Sequence, residues 1–390
     1  MTDLIGHTGI HNNGNQCYFN SILQSLASCP SIYIILKQYL DTSKLIINII
    51  TKYNIINLNH TEIIKKCDEL LLQVEDEEEK SIIEKIKNDA INIYIFVDWF
   101  IIMNLLISNN SGCISVLNLV QKLRIIVEKK GYGDLFSGEQ CDSNEALIFL
   151  LDTLHQSCST PLKSPIPDLP IVGLPDTIIK QYQDMYIQQF GKKHSHFIDL
   201  FQNTYLSIIK CKNCSNQTIN ISPMSVIDIP LHQSKPETPV ADLNACMLNY
   251  FQPENLDEYT CEKCLTKNTC YLKKGFLKLA DTIIIVVKRF IQMANGRIAK
   301  NNINLQFPEI IDLGTYLVQT ENEPKPHQYH LTSTICHISH SIGFGHYVSF
   351  IKKLKDKCWY FCSDGNIRKC EINDVLSQGI TGMLFYSKIK

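Results

Sequence analysis

Cys17 closes a Gly/Asn-rich stretch, Gly9-Ile-His-Asn-Asn-Gly-Asn-Gln, and opens a segment in which Phe19, Ile22, Leu23 and Leu26 recur at helical spacing. A thiol placed there meets the positive end of a helix dipole, which favours the nucleophilic thiolate. Asn12, in the same loop, carries an amide able to donate to a developing oxyanion. An arbitrary Cys is more often a buried, inert residue; the loop-to-helix placement is what turns Cys17 toward catalysis. A Cys nucleophile needs a base, and the base needs an orienting group. His346 follows Gly343-Phe-Gly345 and begins an alternating strand, which fixes its backbone while the small-residue turn leaves the ring accessible. Any one of the 12 His is more often a surface or core residue, so this context is the argument for His346. Downstream, Trp359-Tyr-Phe-Cys-Ser363-Asp364-Gly365 ends a partner strand and brings Ser363 and Asp364 toward the imidazole.

A second chemistry is written in Cys211-Lys-Asn-Cys214 and Cys261-Glu-Lys-Cys264. The first residues, Met-Thr-Asp-Leu-Ile-Gly, carry neither a basic region nor an apolar core, so secretion is not expected and the thiols stay reduced. Two C-x-x-C pairs in that setting match a tetrahedral four-thiolate zinc site, with no ligand position left open for catalysis. The 46 residues between the pairs must form strands of their own and return. A redox role is the lesser alternative, because neither pair precedes a helix in a βαβ unit.

These residues need a scaffold, and 390 residues at 45% hydrophobic composition can build one, ruling out general disorder. Lys plus Arg number 37 against 39 Asp plus Glu, and a net charge of −2 lends little support to a nucleic-acid binder. Residues 91–107 are the best candidate for a membrane span, but they number 17 and contain Asp98, so a buried core helix is expected and no span. Helical periodicity is read at 18–29 and again at 146–156, after the polar start Gly138–Glu145, with further helices between 34 and 130 and a solvated acidic run at 75–79. From about residue 197 the pattern turns to strands, at 204–210, 225–231, 269–276, 282–290, 329–335, 346–352, 358–362 and 383–388. Helices first and strands afterwards predict an α+β fold.

Taken together, the boxes resemble the ubiquitin-specific protease family of papain-like deubiquitinases. Gly9 to Leu26 looks like its Cys box, Gln140-Cys-Asp142-Ser143-Asn-Glu145 like its Gln/Asp box, and Tyr329 through Gly345-His346-Tyr347, Trp359 and Leu384-Phe385-Tyr386 like its His box. The resemblance covers nearly the whole chain in order. It implies a single catalytic domain over 5–388 shaped as a right hand. A mainly helical thumb would occupy 5–200, an insertion of zinc-bearing β fingers 203–276, and a palm sheet with the His box 277–388. It implies Cys17 as nucleophile, His346 as general base, Asn12 as an oxyanion donor and one structural Zn2+ on Cys211, Cys214, Cys261 and Cys264. The partners implied are ubiquitin and ubiquitinated proteins, the ubiquitin tail threading between thumb and palm; a monomer is expected.

Two positions depart from the family pattern. The third triad member is usually Asn or Asp four residues after the box's Trp; here Ser363 stands there, followed by Asp364. A hydroxyl fixes the imidazole tautomer but stabilises imidazolium less than a carboxylate does. Ser followed by Asp is similar to the subgroup that includes a mitochondrial outer-membrane enzyme, so the expected location is the cytoplasm or, if a longer form carries an anchor, the cytosolic face of that membrane. The other departure is Gln16 before the nucleophile, where Thr is common. The neutral third position also leaves room for a rival, a catalytically weak ubiquitin-binding scaffold kept folded by zinc.

Overall fold

The computed structural model describes residues 7–389 except 56, 57, 59, 109–111, 170, 172, 233–239, 293–295, 297, 319–325 and 340–344. Met1–Gly6, read above for a leader, and Gly343-Phe344, the start of the turn ahead of His346, lie outside the described residues.

Helix Cys17–Ala27 is the pivot of the fold, and all of its 11 residues are buried. Phe19, Ile22, Leu23 and Leu26 are completely covered, each contributing about 1.5–3 kcal/mol through burial. The helix packs against strand His346–Lys352 on one side and against helices Ser143–Cys158 and Glu77–Ser108 on the other. Helix Glu77–Ser108 contains the segment weighed as a membrane span. By length and composition it is long and apolar enough to cross a bilayer, but Ile95, Phe96, Trp99, Phe100 and Met103 are all buried in the same core as Cys17. The backbone breaks from helical geometry at Asp89. Ahead of the break, Ile82, Ile83 and Ile86 join Ile46, Ile49 and Leu70 in a satellite core with helices Leu40–Lys52 and His60–Gln73.

The second half is the sheet-rich part that the α+β reading anticipates. One eight-stranded sheet runs Asn366–Cys370, Trp359–Ser363, His346–Lys352, Gln328–Ile338, Thr381–Lys388, Thr282–Lys288, Ile227–Pro230, with Ile310–Asp312 paired to Gln328–Ile338 off this path. Strand Thr282–Lys288 is buried through Val287, as its β-branched run requires of a strand covered on both faces. A separate four-stranded sheet, ordered Gln217–Met224, Asn203–Cys211, Cys270–Lys278, Glu254–Leu256, carries the cysteine pairs at its end. Strand Gln217–Met224 was not anticipated: it is mostly exposed or half-buried and lacks a clean alternation.

Candidate active site

The Cys17 loop is built by its asparagines. The Asn12 side-chain oxygen accepts from the Gly14 and Gln16 N–H groups, both at 3.1 Å, curling the chain into the helix start. Gly14 and Asn15 take positive φ, 111° and 51°, which Gly and Asn tolerate best. Asn15 Nδ2 then donates to the Gly138 carbonyl at 3.0 Å, tying the loop to the segment before helix Ser143–Cys158.

Cys17 is 3% exposed. Burial pushes its thiol pKa up, while N–H groups of Tyr347, Tyr18 and Cys17 itself pull it down, and the Asp364 charge adds a further push up. This corrects the expectation that the helix dipole would favour thiolate: desolvation of the sulfur outweighs the dipole. The Tyr347 N–H that acts on the thiol belongs to the chain neighbour of His346. Gln140 Nε2 donates to the Gly345 carbonyl at 2.9 Å and so holds the backbone on the other side of His346.

His346 opens its strand and Ser363 closes the neighbouring one, so the pairing of Ser349 with Cys362 brings both to the same end of the sheet. His346 Nε2 lies 2.8 Å from Ser363 Oγ and 3.9 Å from Asp364 Oδ2. Asp364 sits in the two-residue turn that joins Ser363 to Asn366, with φ of 52°. Its carboxylate accepts from Asn12 Nδ2 at 3.0 Å through Oδ2 and from Asn20 Nδ2 at 2.7 Å through Oδ1. Its carbonyl accepts from the Ile10 N–H at 3.1 Å. Backbones meet closely here: a Cβ on Gly9 would lie 2.6 Å from the Gly365 oxygen. One amide hydrogen of Asn12 is therefore engaged by Asp364.

Asn20 was passed over in the sequence. It is 1% exposed, and the signal for it is a polar side chain one turn after Cys17 on a helix whose apolar positions mark it as a core element. His337 was also passed over. Its ring lies against Tyr347, centroids 4.5 Å apart and planes tilted by 37°, and burial, then the charges of Lys300 and His346, hold its pKa down to about 4.

Between Asp142–Asn144 and Tyr347 lies a cleft of about 280 Å³. Asp142 caps helix Ser143–Cys158 by accepting from the Asn144 N–H at 2.6 Å. Two cations of the cleft are committed to backbone: Arg289 donates to the carbonyls of Thr381, Asn301, Ile303 and Gly379, and Lys300 to those of His337 and Ser339.

The four cysteines converge at the end of the smaller sheet, where their sulfurs lie within 4.8 Å of one another. Cys211 to Cys264 and Cys214 to Cys261 are both 3.6 Å, near the edge of about 3.8 Å that follows from tetrahedral Zn–S bonds of about 2.3 Å. The group is able to hold a metal ion.

The chain is similar to known proteins. A family model described as ubiquitin carboxyl-terminal hydrolase matches residues 8–386. Ubiquitin carboxyl-terminal hydrolase 4 of Candida glabrata is 24% identical over 418 residues, covering 100% of this chain and 42% of the relative. Ubiquitin carboxyl-terminal hydrolase 5 of Saccharomyces cerevisiae is 27% identical over 275 residues, covering 64% of this chain and 32% of the relative. The chain thus spans less than half the length of these relatives. Among solved structures, the SAGA Ubp8/Sgf11/Sus1/Sgf73 DUB module bound to ubiquitin aldehyde superposes with a TM-score of 0.64 at 18% identity, over 100% of this chain and 71% of that one. The module bound to monoubiquitin gives a TM-score of 0.62 at 18% identity, with the same coverage.

Proposed function

This chain belongs to the ubiquitin carboxyl-terminal hydrolase family, and on that premise we propose that it is a cysteine-type deubiquitinase. It hydrolyses the bond after the C-terminal glycine of ubiquitin and frees ubiquitin from lysines of conjugates or chains. The observation that supports this most directly is the 2.8 Å contact of His346 Nε2 with Ser363, in a ring whose chain neighbour Tyr347 touches the Cys17 sulfur through its N–H.

With Nε2 turned to Ser363, Nδ1 is the nitrogen for the thiol. As the sulfur attacks the isopeptide carbonyl, the thiol proton passes to Nδ1, giving imidazolium. The oxyanion meets the second amide hydrogen of Asn12 and backbone N–H at the helix start. Collapse breaks the C–N bond, and imidazolium returns the proton to the leaving lysine amine. Water, deprotonated by the same imidazole, then cleaves the thioester and regenerates Cys17. Asp364 assists by holding Asn12, and Ser363 by orienting His346. The ubiquitin tail takes the cleft between Asp142–Asn144 and Tyr347.

Cys211, Cys214, Cys261 and Cys264 would hold one structural Zn2+, which would tie the end of the smaller sheet together. The near-complete burial of Cys17 favours one other reading, a ubiquitin-binding scaffold without turnover. An electrophile-tipped ubiquitin probe, run on wild type and Cys17→Ala, separates them: labelling of wild type alone supports the enzyme. Labelling that survives in Cys17→Ala rejects the nucleophile, and absence of labelling in wild type favours the scaffold.

A further inference from the structure

Helix Cys17–Ala27 has a second end. About 15 Å from Cys17, given the 1.5 Å rise per residue, Gln24, Ala27 and Ser28 border a groove of about 690 Å³. Its walls are apolar, with Leu106, Ile107, Ile351 and Leu354 among them. Tyr33, Ile34 and Ile389 also line it and remain 57%, 37% and 41% exposed. An exposed apolar surface of this kind, rimmed by polar groups, marks an interaction site.

The rim has one sign of charge. Lys353, Lys355, Lys357 and Lys388 line the groove together with His330, and no Asp or Glu does. In a chain whose charges nearly balance, this is a local asymmetry. The nearest acid in sequence, Asp356, does not line the groove: its carboxylate accepts from the Tyr360 hydroxyl at 2.7 Å and from the Cys358 N–H at 2.9 Å, and its charge falls on Lys353. Neighbouring Lys352 is neutralised by Glu309 at 3.1 Å. Lys353 lies over the Tyr360 ring, whereas among the described residues no ion pair is formed by Lys355, Lys357 or Lys388. The walls come from both halves of the fold, helices Cys17–Ala27, Pro30–Gln38 and Glu77–Ser108 and strands Gln328–Ile338, His346–Lys352 and Thr381–Lys388.

We propose that this groove docks an acidic peptide segment of a partner protein, its apolar side chains seated on the walls and its carboxylates on Lys355, Lys357 and Lys388. Apolar contact supplies affinity, and the cationic rim supplies selection and a salt-sensitive encounter rate. A docked segment bridges the helical half to the large sheet behind the catalytic helix. The proposal is independent of turnover.

The test is fluorescence anisotropy of the full chain with a labelled amphipathic peptide carrying Leu on one face and Glu on the other, against a counterpart with Lys in place of Glu. The acidic peptide is expected to bind about tenfold or more tightly than the basic one, and to weaken as salt rises. The double variant Lys355→Glu, Lys357→Glu is expected to lose about tenfold in affinity, with its melting temperature and ubiquitin-probe labelling unchanged. Ile34→Asp, at an exposed wall position, weakens binding without reversing the charge preference. Equal binding of the two peptides, or full binding by the double variant, overturns the proposal. So does capture of phosphatidylserine vesicles in preference to the peptide. Dimerisation in analytical ultracentrifugation that the double variant abolishes points instead to a second copy of the chain, and overturns it too.

Discussion

Replacing Ser363 with Ala removes one hydroxyl, 2.8 Å from His346 Nε2, and leaves the Asp364–Gly365 turn intact. The loss is one neutral hydrogen bond, about 0.5–1.5 kcal/mol. With a tenfold rate change for each 1.36 kcal/mol, turnover falls about two- to twelvefold. The fall stays shallow because Asp364 Oδ2, 3.9 Å from the same nitrogen, still favours imidazolium. It does not vanish, because Asn12 and Asn20 hold that carboxylate at 3.0 and 2.7 Å and keep it from moving into the hydroxyl's place. His346→Ala removes the base itself and loses the larger factor, on the order of 10²–10⁴, that a positioned base supplies. The assay is steady-state hydrolysis of a ubiquitin–fluorophore conjugate by wild type, Ser363→Ala, Ser363→Asp and His346→Ala, with kcat and KM resolved. Ser363→Asp is expected to exceed Ser363→Ala, since a carboxylate stabilises imidazolium better than a methyl group does. Wild-type turnover in Ser363→Ala would transfer the orienting role to Asp364, and a loss as deep as that of His346→Ala would refute the hydrogen-bond arithmetic.

Further outcomes follow from the same geometry. The fold favours the neutral Cys17 thiol, so its alkylation by iodoacetamide in the free chain accelerates with pH only above the ordinary thiol range; a midpoint below neutrality would contradict this. By the same linkage, the raised pKa of Cys17 contributes stability that is complete below the ordinary thiol pKa and is lost as pH rises through the raised value, which paired urea titrations of wild type and Cys17→Ala measure. Denatured protein releases about one zinc per chain, and Cys214→Ser or Cys261→Ser lowers that yield; metal analysis finding none leaves the cysteine group unexplained. Gly9→Ala drives a Cβ to within 2.6 Å of the Gly365 oxygen, a backbone contact with little room to yield, and destabilises by about 1–3 kcal/mol in urea unfolding; an unchanged midpoint would deny the contact. Asn20→Ala deletes a buried bond to a carboxylate and is expected to lower stability by about 1.5–3 kcal/mol, read by the same unfolding experiment.

Much of the site was legible because its signals are local. A Gly/Asn loop running into a 3.6-residue period places Cys17 at a helix start, and helix Cys17–Ala27 begins there. Alternation after Gly345 places His346 at a strand start, matching strand His346–Lys352. Two C-x-x-C pairs need only two tight turns to face their sulfurs together. Helices Asp176–Phe190 and Leu243–Phe251 fall outside the sequence reading: the first buries Ile178, Tyr182, Tyr186 and Phe190 at four-residue spacing directly after a proline-rich stretch, and the second buries only Leu243, Cys246 and Met247.

Residue types and short spacings, then, carried the choice of candidate groups, since loop, helix start, strand start and cysteine knuckle are set within a few neighbours along the chain. Only the packed molecule decided how those groups behave. Burial under helix and sheet reversed the sign expected for the Cys17 thiol, because desolvation depends on everything around an atom and not on its own helix. The partnership of Asn12 and Asn20 with Asp364 joins residues 352 and 344 positions apart, and the lysine-rimmed groove draws on six separate elements. Such contacts have no period and no motif, and exist only once the sheet order brings distant strands to the catalytic helix.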